Sequence, residues 1–434
     1  MKSATHHIIQ QTEIREIQEN KLGKLLEYLK NNSPYYQRIF KQNQIDLQKI
    51  SRLEDLVLLP TTSKEDLQLN NDDFLCVPRT LVIEYTSTSG TLGAPVTIAL
   101  TEKDLQRLAL NEFGSFTCAG GTQQDIYQLM LTLDRQFMAG MAYYSGIRML
   151  GAGIIRVGPG VPSVQWETIF RLKPTVLVAV PSFILKMIQY AKDHHLDMAG
   201  TSVRKAICIG ENIRQTDFSL NVLGRAITDV WKIQLFSTYA STEMQTAFTE
   251  CEAGRGGHHQ PDLVIVELLN EEGHPVNPGE AGEVTITTLG VEGMPLLRYK
   301  TGDLCIANEE SCICGRHTLR LSPVIGRKKQ MIKFKGTTLF APALDDLLSG
   351  MEDITDFVAE VFSNEIGTDE VLLHLFTEKY TEESDHRIRA YLQAKLRVTP
   401  QIRYVNAQEI QVLQFPEGSR KALKFIDKRS SVSS

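Results

Sequence analysis

Apolar positions along the chain recur at two different periods, and the change from one to the other marks its elements. Ile14, Ile17, Leu25, Tyr28 and Leu29 fall at helical spacing, which predicts an amphipathic N-terminal helix. Asn31-Asn32-Ser33-Pro34 ends it, and Ser33-Pro34 caps a second helix running through Tyr35 and Tyr36 to Phe40. Residues 81–84 and 97–100 read as strands on either side of a loop crowded with hydroxyls and glycine. From Ile126 to about Gly290, short β-branched runs alternate with helical stretches. Residues 153–157 and 175–180 read as buried strands, with a helix over 163–172 between them. These strands are apolar throughout rather than at alternate positions, the pattern of a mainly parallel sheet covered on both faces by βαβ units. After Gly326-Arg327 the pattern changes to a helix over 339–348, strands over 357–362 and 371–376, and a helix marked by Ile388, Tyr391, Leu392 and Leu396. That stretch is a small α+β domain of about a hundred residues.

At 434 residues the chain is too long for one ordinary core, so two domains are expected, 1–327 and 328–434. Apolar content of 42% and charged content of 23% are those of a globular chain. A net charge of −6 gives no reason to expect nucleic acid or an acidic membrane as partner. No apolar run is long enough to cross a bilayer, and no signal-peptide core follows Met1, so a cytoplasmic location is the default. Seven cysteines in that compartment are expected as thiols or metal ligands. Cys76, Cys118, Cys208 and Cys305 read as ordinary buried residues. Gly151-Ala152-Gly153 is not a dinucleotide fingerprint, since Arg156 takes the third glycine position, and the Gly-Lys-Ser/Thr phosphate loop is absent from the chain.

Five ordered motifs carry the candidate chemistry, the last of them at the C-terminus. The loop Thr88-Ser89-Gly90-Thr91-Leu92-Gly93-Ala94-Pro95 offers close backbone approach and hydroxyl donors, which suits phosphates. It resembles the Ser/Thr-Ser-Gly-Thr-Thr-Gly-Lys-Pro loop of the acyl-adenylate-forming enzymes; Leu92 and Ala94 depart from that pattern, and Ala94 takes the place of the lysine. Ser237-Thr238-Tyr239-Ala240-Ser241-Thr242-Glu243 resembles the same family's second motif. There the resemblance implies Tyr239 against adenine, Thr242 near the α-phosphate and acyl group, and Glu243 on magnesium. Residues 294–303, ending Arg298-Tyr299-Lys300-Thr301-Gly302-Asp303, are similar to the run whose aspartate accepts from the ribose hydroxyls, a role implied for Asp303. Ile325-Gly326-Arg327-Lys328-Lys329 resembles the hinge motif, with Lys329 at the pivot and Arg327 near the ribose.

The C-terminal residues 416–429 and the segment 59–67 resemble the phenylacetate–CoA ligase branch of that superfamily, which puts Lys421 in the place of the lysine that neutralises the attacking carboxylate and the α-phosphate. Gly210-Glu211-Asn212 resembles the adenine-edge segment, and Phe137, Met141, Tyr143 and Phe236 are candidates for an apolar acyl pocket suited to an aryl acid. The resemblance therefore implies an α/β fold with a large N-terminal adenylate-forming domain and a small α+β C-terminal lid. It implies ATP, Mg2+ and coenzyme A, a small carboxylic acid as substrate and a homodimer. An acceptor other than coenzyme A (a carrier-protein thiol, an amine or a hydroxyl) and a nucleotide-binding protein without turnover stay open. Cys251, His258, Cys312 and Cys314 form Cys-x6-His and Cys-x-Cys pairs, a set that suits a structural, closed zinc site, with His259 as the alternative imidazole; a Cys-Ile-Cys turn without metal is the other reading of the spacing.

Overall fold

The computed structural model describes residues 11–88, 95–334, 337–364, 369–396, 398–416 and 422–429. They divide into two compact units. One holds the residues up to Thr301 with Cys305–Pro323, and the other holds Gly302–Leu304 and the residues from Val324 on.

In the first unit, α1 (Gln11–Asn32) turns Ile14, Leu22, Leu25, Leu26 and Leu29 inward. The Ser33 hydroxyl accepts from the Tyr36 amide and so starts α2 (Pro34–Gln42). α3 (Lys64–Leu69) opens with a reciprocal cap between Ser63 and Asp66. An antiparallel hairpin follows, β1 (Glu84–Ser87) on β2 (Thr97–Leu100). Its first strand begins at Glu84 rather than Leu81, because the chain after Pro78 makes a 3-10 turn over Arg79–Leu81.

Next come α4 (Glu102–Cys118), β3 (Ile126–Leu129), α5 (Met138–Leu150), β4 (Gly153–Arg156), α6 (Pro162–Leu172), β5 (Val176–Ala179), α7 (Pro181–Asp193), β6 (Lys205–Ile209) and α8 (Val222–Thr228). The remaining strands are β7 (Gln234–Ser241), β8 (Thr246–Glu250), β9 (Gly257–His258), β10 (Val264–Leu269), β11 (Ala281–Thr288), β12 (Tyr299–Asn308) and β13 (Arg320–Leu321). They form one mixed sheet in the order β10-β11-β12-β13-β9-β8-β7-β6-β5-β3-β4.

The strands from β4 to β7 are parallel, and β7 meets β8 antiparallel, after which the antiparallel part begins. The unbroken apolar runs of β5 and β6 have a direct cause, since both faces are covered. Val176, Val178, Ile207 and Ile209 pack with Phe116, Tyr143 and Ile147 of α4 and α5. Leu177, Ala179, Ala206 and Cys208 pack on the other side with Trp166, Ile184, Met187 and Ile227 of α6, α7 and α8. β4, expected to be buried, is the half-buried edge strand of this sheet.

In the second unit, β14 (Gly326–Arg327) lies antiparallel to the Asp303–Leu304 part of β12. β15 (Met331–Phe334) and β16 (Thr337–Phe340) make a hairpin. α9 (Ala341–Ser349), β17 (Asp356–Ser363), β18 (Asp369–Phe376), α10 (Glu382–Leu396), β19 (Gln401–Tyr404), α11 (Ala407–Gln414) and β20 (Phe425–Asp427) complete it, with sheet order β19-β18-β17-β20. Alternate residues Phe357, Ala359 and Val361 of β17 and Val371, Leu373 and Leu375 of β18 face Ile388, Leu392 and Leu396 of α10. No helix among the described residues is long and apolar enough to cross a membrane.

Candidate active site

In open parallel sheets, ligands bind beyond the carboxyl ends of the strands, where helix N-termini and loop amides converge. Two candidate segments lie at such ends in the first unit. Gly210 follows β6 with a φ of +75°, a conformation glycine adopts without strain. Glu211 beside it accepts from both the backbone amide and the hydroxyl of Ser182, at 2.8 Å each, and so caps the start of α7. The second segment is the hairpin joining β7 to β8. Ser241 and Thr246 close its ladder, Met244 donates its amide to the Ser241 hydroxyl at 3.2 Å, and Gln245 turns the chain with a φ of +52°. Tyr239 lies half-buried on β7 with its ring 5.7 Å from that of Phe248.

Glu243, at the tip of that hairpin, is a buried carboxylate. The Tyr299 hydroxyl donates to its Oε1 at 3.4 Å, and the Lys64 ammonium lies 3.7 Å from the same oxygen. Both neighbours are held by one piece of stitching. Thr62 donates its amide to the Arg298 carbonyl and accepts from the Lys300 amide, which makes a parallel bridge to Tyr299. The Thr62 hydroxyl donates to the Leu297 carbonyl at 2.8 Å, and the Tyr36 hydroxyl stands 3.0 Å from it. A buried carboxylate beside an ammonium and a phenol offers a hard oxygen ligand, the kind magnesium takes together with substrate phosphates.

Two supports behind this hairpin had no signal in the local sequence. Arg214 donates through Nε to both oxygens of the buried Glu250, and Glu250 also accepts from the Ser237 amide at 3.0 Å. Burial pushes the Glu250 carboxyl up, and Arg214 opposes that shift. Arg107 is buried in α4 and donates to three carbonyls, those of Leu289, Gln245 and Leu263. Burial lowers its guanidinium to about 10, against the pull of Asp104 and Asp262.

The phosphate-loop candidates Ser89, Gly90, Thr91 and Gly93 lie outside the described residues, as does Lys421. The base of that loop is described. Thr88 pairs with Val96 through its amide and its hydroxyl, at 3.0 Å each. The Ser87 amide donates to the Gln136 carbonyl at 2.9 Å, which ties the loop to the turn before α5. Arg135 and Gln136 both hold positive φ there, 58° and 59°, a strained pair for residues with side chains. Phe137 and Met141 follow one helical turn apart and keep accessible surface, 37% and 38%. Tyr143 and Phe236 are core residues instead, packed among Phe116 and Tyr127.

In the second unit, Asp303 and Arg327 are register partners, and Arg327 Nε donates to Asp303 Oδ1 at 3.2 Å. Lys329 sits in a 3-10 turn after β14.

The four thiol and imidazole candidates Cys251, His258, Cys312 and Cys314 come together in the first unit, with their ligand atoms all within 4.8 Å of one another. Cys251 Sγ is 3.6 Å from Cys312 Sγ, and Cys314 Sγ is 3.5 Å from His258 Nε2. A tetrahedral zinc with Zn–S of about 2.3 Å and Zn–N of about 2.05 Å has S···S edges of about 3.8 Å and S···N edges of about 3.6 Å, so the donor set fits the ion. Thr318 Oγ1 lies 2.7 Å from His258 Nδ1, leaving Nε2 as the ligand atom. Burial lowers His258 to about 3, aided by Arg316 and Arg320, so the imidazole is neutral. Burial raises Cys314 but is outweighed by the Arg316 amide and guanidinium, and this thiol is held below its ordinary value. His259 points elsewhere, with Nδ1 3.1 Å from the Leu319 carbonyl.

A sheet of this build, with motif residues at its carboxyl ends, is an α/β architecture that places ligands at that edge. The chain belongs to the AMP-binding enzyme family, whose profile matches residues 37–293. Phenylacetate-coenzyme A ligase of Thermus thermophilus is 26% identical over 399 residues, covering 87% of each chain. The enzyme of the same name from Escherichia coli is 25% identical over 435 residues, covering 97% of this chain and 96% of that one. Among solved structures, 2-hydroxyisobutyryl-CoA ligase in the postadenylation state shares the fold with a TM-score of 0.83 and 18% identity, over 98% of this chain and 94% of the other.

Proposed function

We propose that the chain is an AMP-forming acid–thiol ligase, which activates an aryl or arylalkyl carboxylic acid resembling phenylacetate with ATP and passes the acyl group to coenzyme A. The observation that carries this reading is Glu243, buried at the tip of the β7–β8 hairpin with Lys64 and Tyr299 against one oxygen. The curated relatives named phenylacetate-coenzyme A ligase support the substrate class. The accessible Phe137 and Met141 at the start of α5 support an apolar acyl pocket, whereas Tyr143 and Phe236 belong to the core.

In the first half-reaction a carboxylate oxygen bonds to the α-phosphorus of ATP, and the bond to pyrophosphate breaks. Two anions must meet, so the chain has to offset charge. Magnesium held by Glu243 would supply positive charge at the phosphates. Thr88, Ser89, Gly90, Thr91 and Gly93 cradle the phosphates, and Thr242 donates near the α-phosphate. Tyr239 and Ala240, with Gly210 and Asn212, flank the adenine. Asp303 accepts from the ribose hydroxyls beside Arg327. Lys421 neutralises the attacking carboxylate. In the second half-reaction the coenzyme A sulfur bonds to the acyl carbon and AMP leaves, after residues 328–434 turn about Lys329 and withdraw Lys421. Cys251, His258, Cys312 and Cys314 would hold a zinc ion through four protein ligands, which suits a structural role.

A library of carboxylic acids screened for acid-dependent pyrophosphate exchange into ATP, with and without coenzyme A, tests the reading. Exchange with arylacetic acids and a thioester formed only when coenzyme A is present are expected. Exchange without thioester formation would move the acceptor elsewhere, and no exchange with any acid would overturn the reading.

A further inference from the structure

The sheet of the second unit has two unlike faces. One packs on α10, and the other, which carries Glu360 and His374, is crossed by α11 with Ile410 and Gln414 turned inward. Between α11 and β19 that second face keeps an open groove of about 400 Å3, lined by His374, Arg403, Val405, Gln408, Glu409 and Val412 among others. Sites for small molecules measure about 300–1,000 Å3. His374 and Arg403 are register partners on β18 and β19, so both side chains stand on this face. The His374 imidazole is buried, with Nε2 3.3 Å from Glu360 Oε2, and Lys428 meets the other oxygen of that carboxylate at 2.9 Å. A carboxylate can only accept, so Nε2 carries the hydrogen. Nδ1 is then an acceptor, and it has no partner among the described residues. A buried acceptor left unpaired is unfavourable and marks a place for a donor.

The rim of the groove holds one charge of each sign. Arg403 Nη2 and Glu409 Oε1 stand 3.7 Å apart, wider than the roughly 2.8 Å of a direct charge-assisted hydrogen bond. Neither group is used up by the other. Glu409 is fixed all the same, because its Oε2 accepts from the Asn406 amide at 2.9 Å. The Asn406 side chain takes the amides of Gln408 and Glu409 in turn, so those two donors are spent on the cap. Val405 and Val412 supply apolar wall, and Val412 leaves 68% of its surface open. We propose that this groove binds a free α-amino acid with an apolar side chain. Such a zwitterion carries an ammonium and a carboxylate on one carbon, and the rim presents the opposite pair at matching separation. The ligand carboxylate meets Arg403. Its ammonium meets Glu409 and donates to His374 Nδ1 once the side chains covering that atom give way, and its apolar side chain lies on Val405 and Val412. A simple anion or cation would satisfy one rim charge and face a like charge in the other. The site lies wholly within the second unit and does not rest on the adenylation reading.

The test is titration calorimetry on the full chain with leucine, valine and phenylalanine as probes. Isoamylamine, which lacks the carboxylate of leucine, and N-acetylleucine, which lacks its ammonium, serve as controls. At least one amino acid should bind, and for leucine each control should bind about 10- to 100-fold more weakly, the loss of one charge-assisted contact. Arg403→Gln and Glu409→Gln should each weaken amino-acid binding by about tenfold or more. Glu409→Gln keeps an oxygen for the Asn406 amide, so its effect is not that of a lost cap. Acid-dependent pyrophosphate exchange, measured without amino acid, should be the same in both variants as in the wild type. No binding of any of the three amino acids up to about 10 mM would overturn the assignment. So would a control that binds as tightly as leucine, or an affinity that neither variant changes.

Discussion

Glu112 illustrates what a single buried side chain does to the molecule. It lies on α4 with Oε1 accepting from Asn111 Nδ2 at 2.9 Å, while Oε2 has no hydrogen-bond partner among the described residues. Burial pushes its carboxyl up to about 8, against the effect of Asn111, so the folded protein holds it protonated at neutral pH. In the unfolded chain the same group titrates near 4.3. Between those values the unfolded state binds fewer protons, so stability falls as pH rises, by at most about 1.4 kcal/mol per unit, and levels off above pH 8. Glu112→Gln should remove that slope, and urea unfolding at pH 5, 6.5 and 8 should show the variant gaining on the wild type at each step. A difference independent of pH would refute it. The sequence hid Glu112 because a glutamate among helical residues reads as a solvated face. Lys64 was hidden too, because its partner Glu243 is remote in sequence. Cys251, His258, Cys312 and Cys314 were legible, since thiols and imidazole paired at short spacing have few other uses.

Among elements, α4 and α5 approach so closely that glycine is required between them. A Cβ at Gly146 would overlap Glu112 Cβ and lie 2.9 Å from its carbonyl carbon. Gly146→Ala should therefore cost about 1–3 kcal/mol in chemical denaturation and weaken the acid, whose candidate pocket begins on α5, more than ATP. A second element-scale constraint is the thiol–imidazole cluster, which joins the end of β8 and β9 to the loop carrying Cys312 and Cys314. Elemental analysis should find one zinc per chain, and Cys312→Ala with Cys314→Ala should abolish it and lower the melting temperature of the first unit. Continuous apolar runs made β5 and β6 readable. The antiparallel half from β8 to β13 was not, because β9 and β13 are two residues each and carry no periodicity. The start of β1 was misplaced for another local reason, the 3-10 turn after Pro78.

For the whole molecule, the proposed reaction asks one chain to bring anions together and afterwards to admit a bulky thiol. Lys421→Ala should cut acyl-adenylate formation by about 100-fold or more and leave thioester formation from supplied acyl-AMP nearly intact, measured by separate half-reaction assays. Equal losses in both would count against its role. The order of motifs along the chain made this chemistry legible, whereas the internal braces were not, since an arginine bound to backbone carbonyls leaves no mark on neighbouring residues. Arg107 carries the consequence of such bracing. Its planar fork serves turns contributed by three distant stretches, and the single tip of a lysine cannot. Arg107→Lys should keep the positive charge yet lower thermal stability and activity together. A mutational scan would then score position 107 as severely as a reacting group, although its work is that of a rivet.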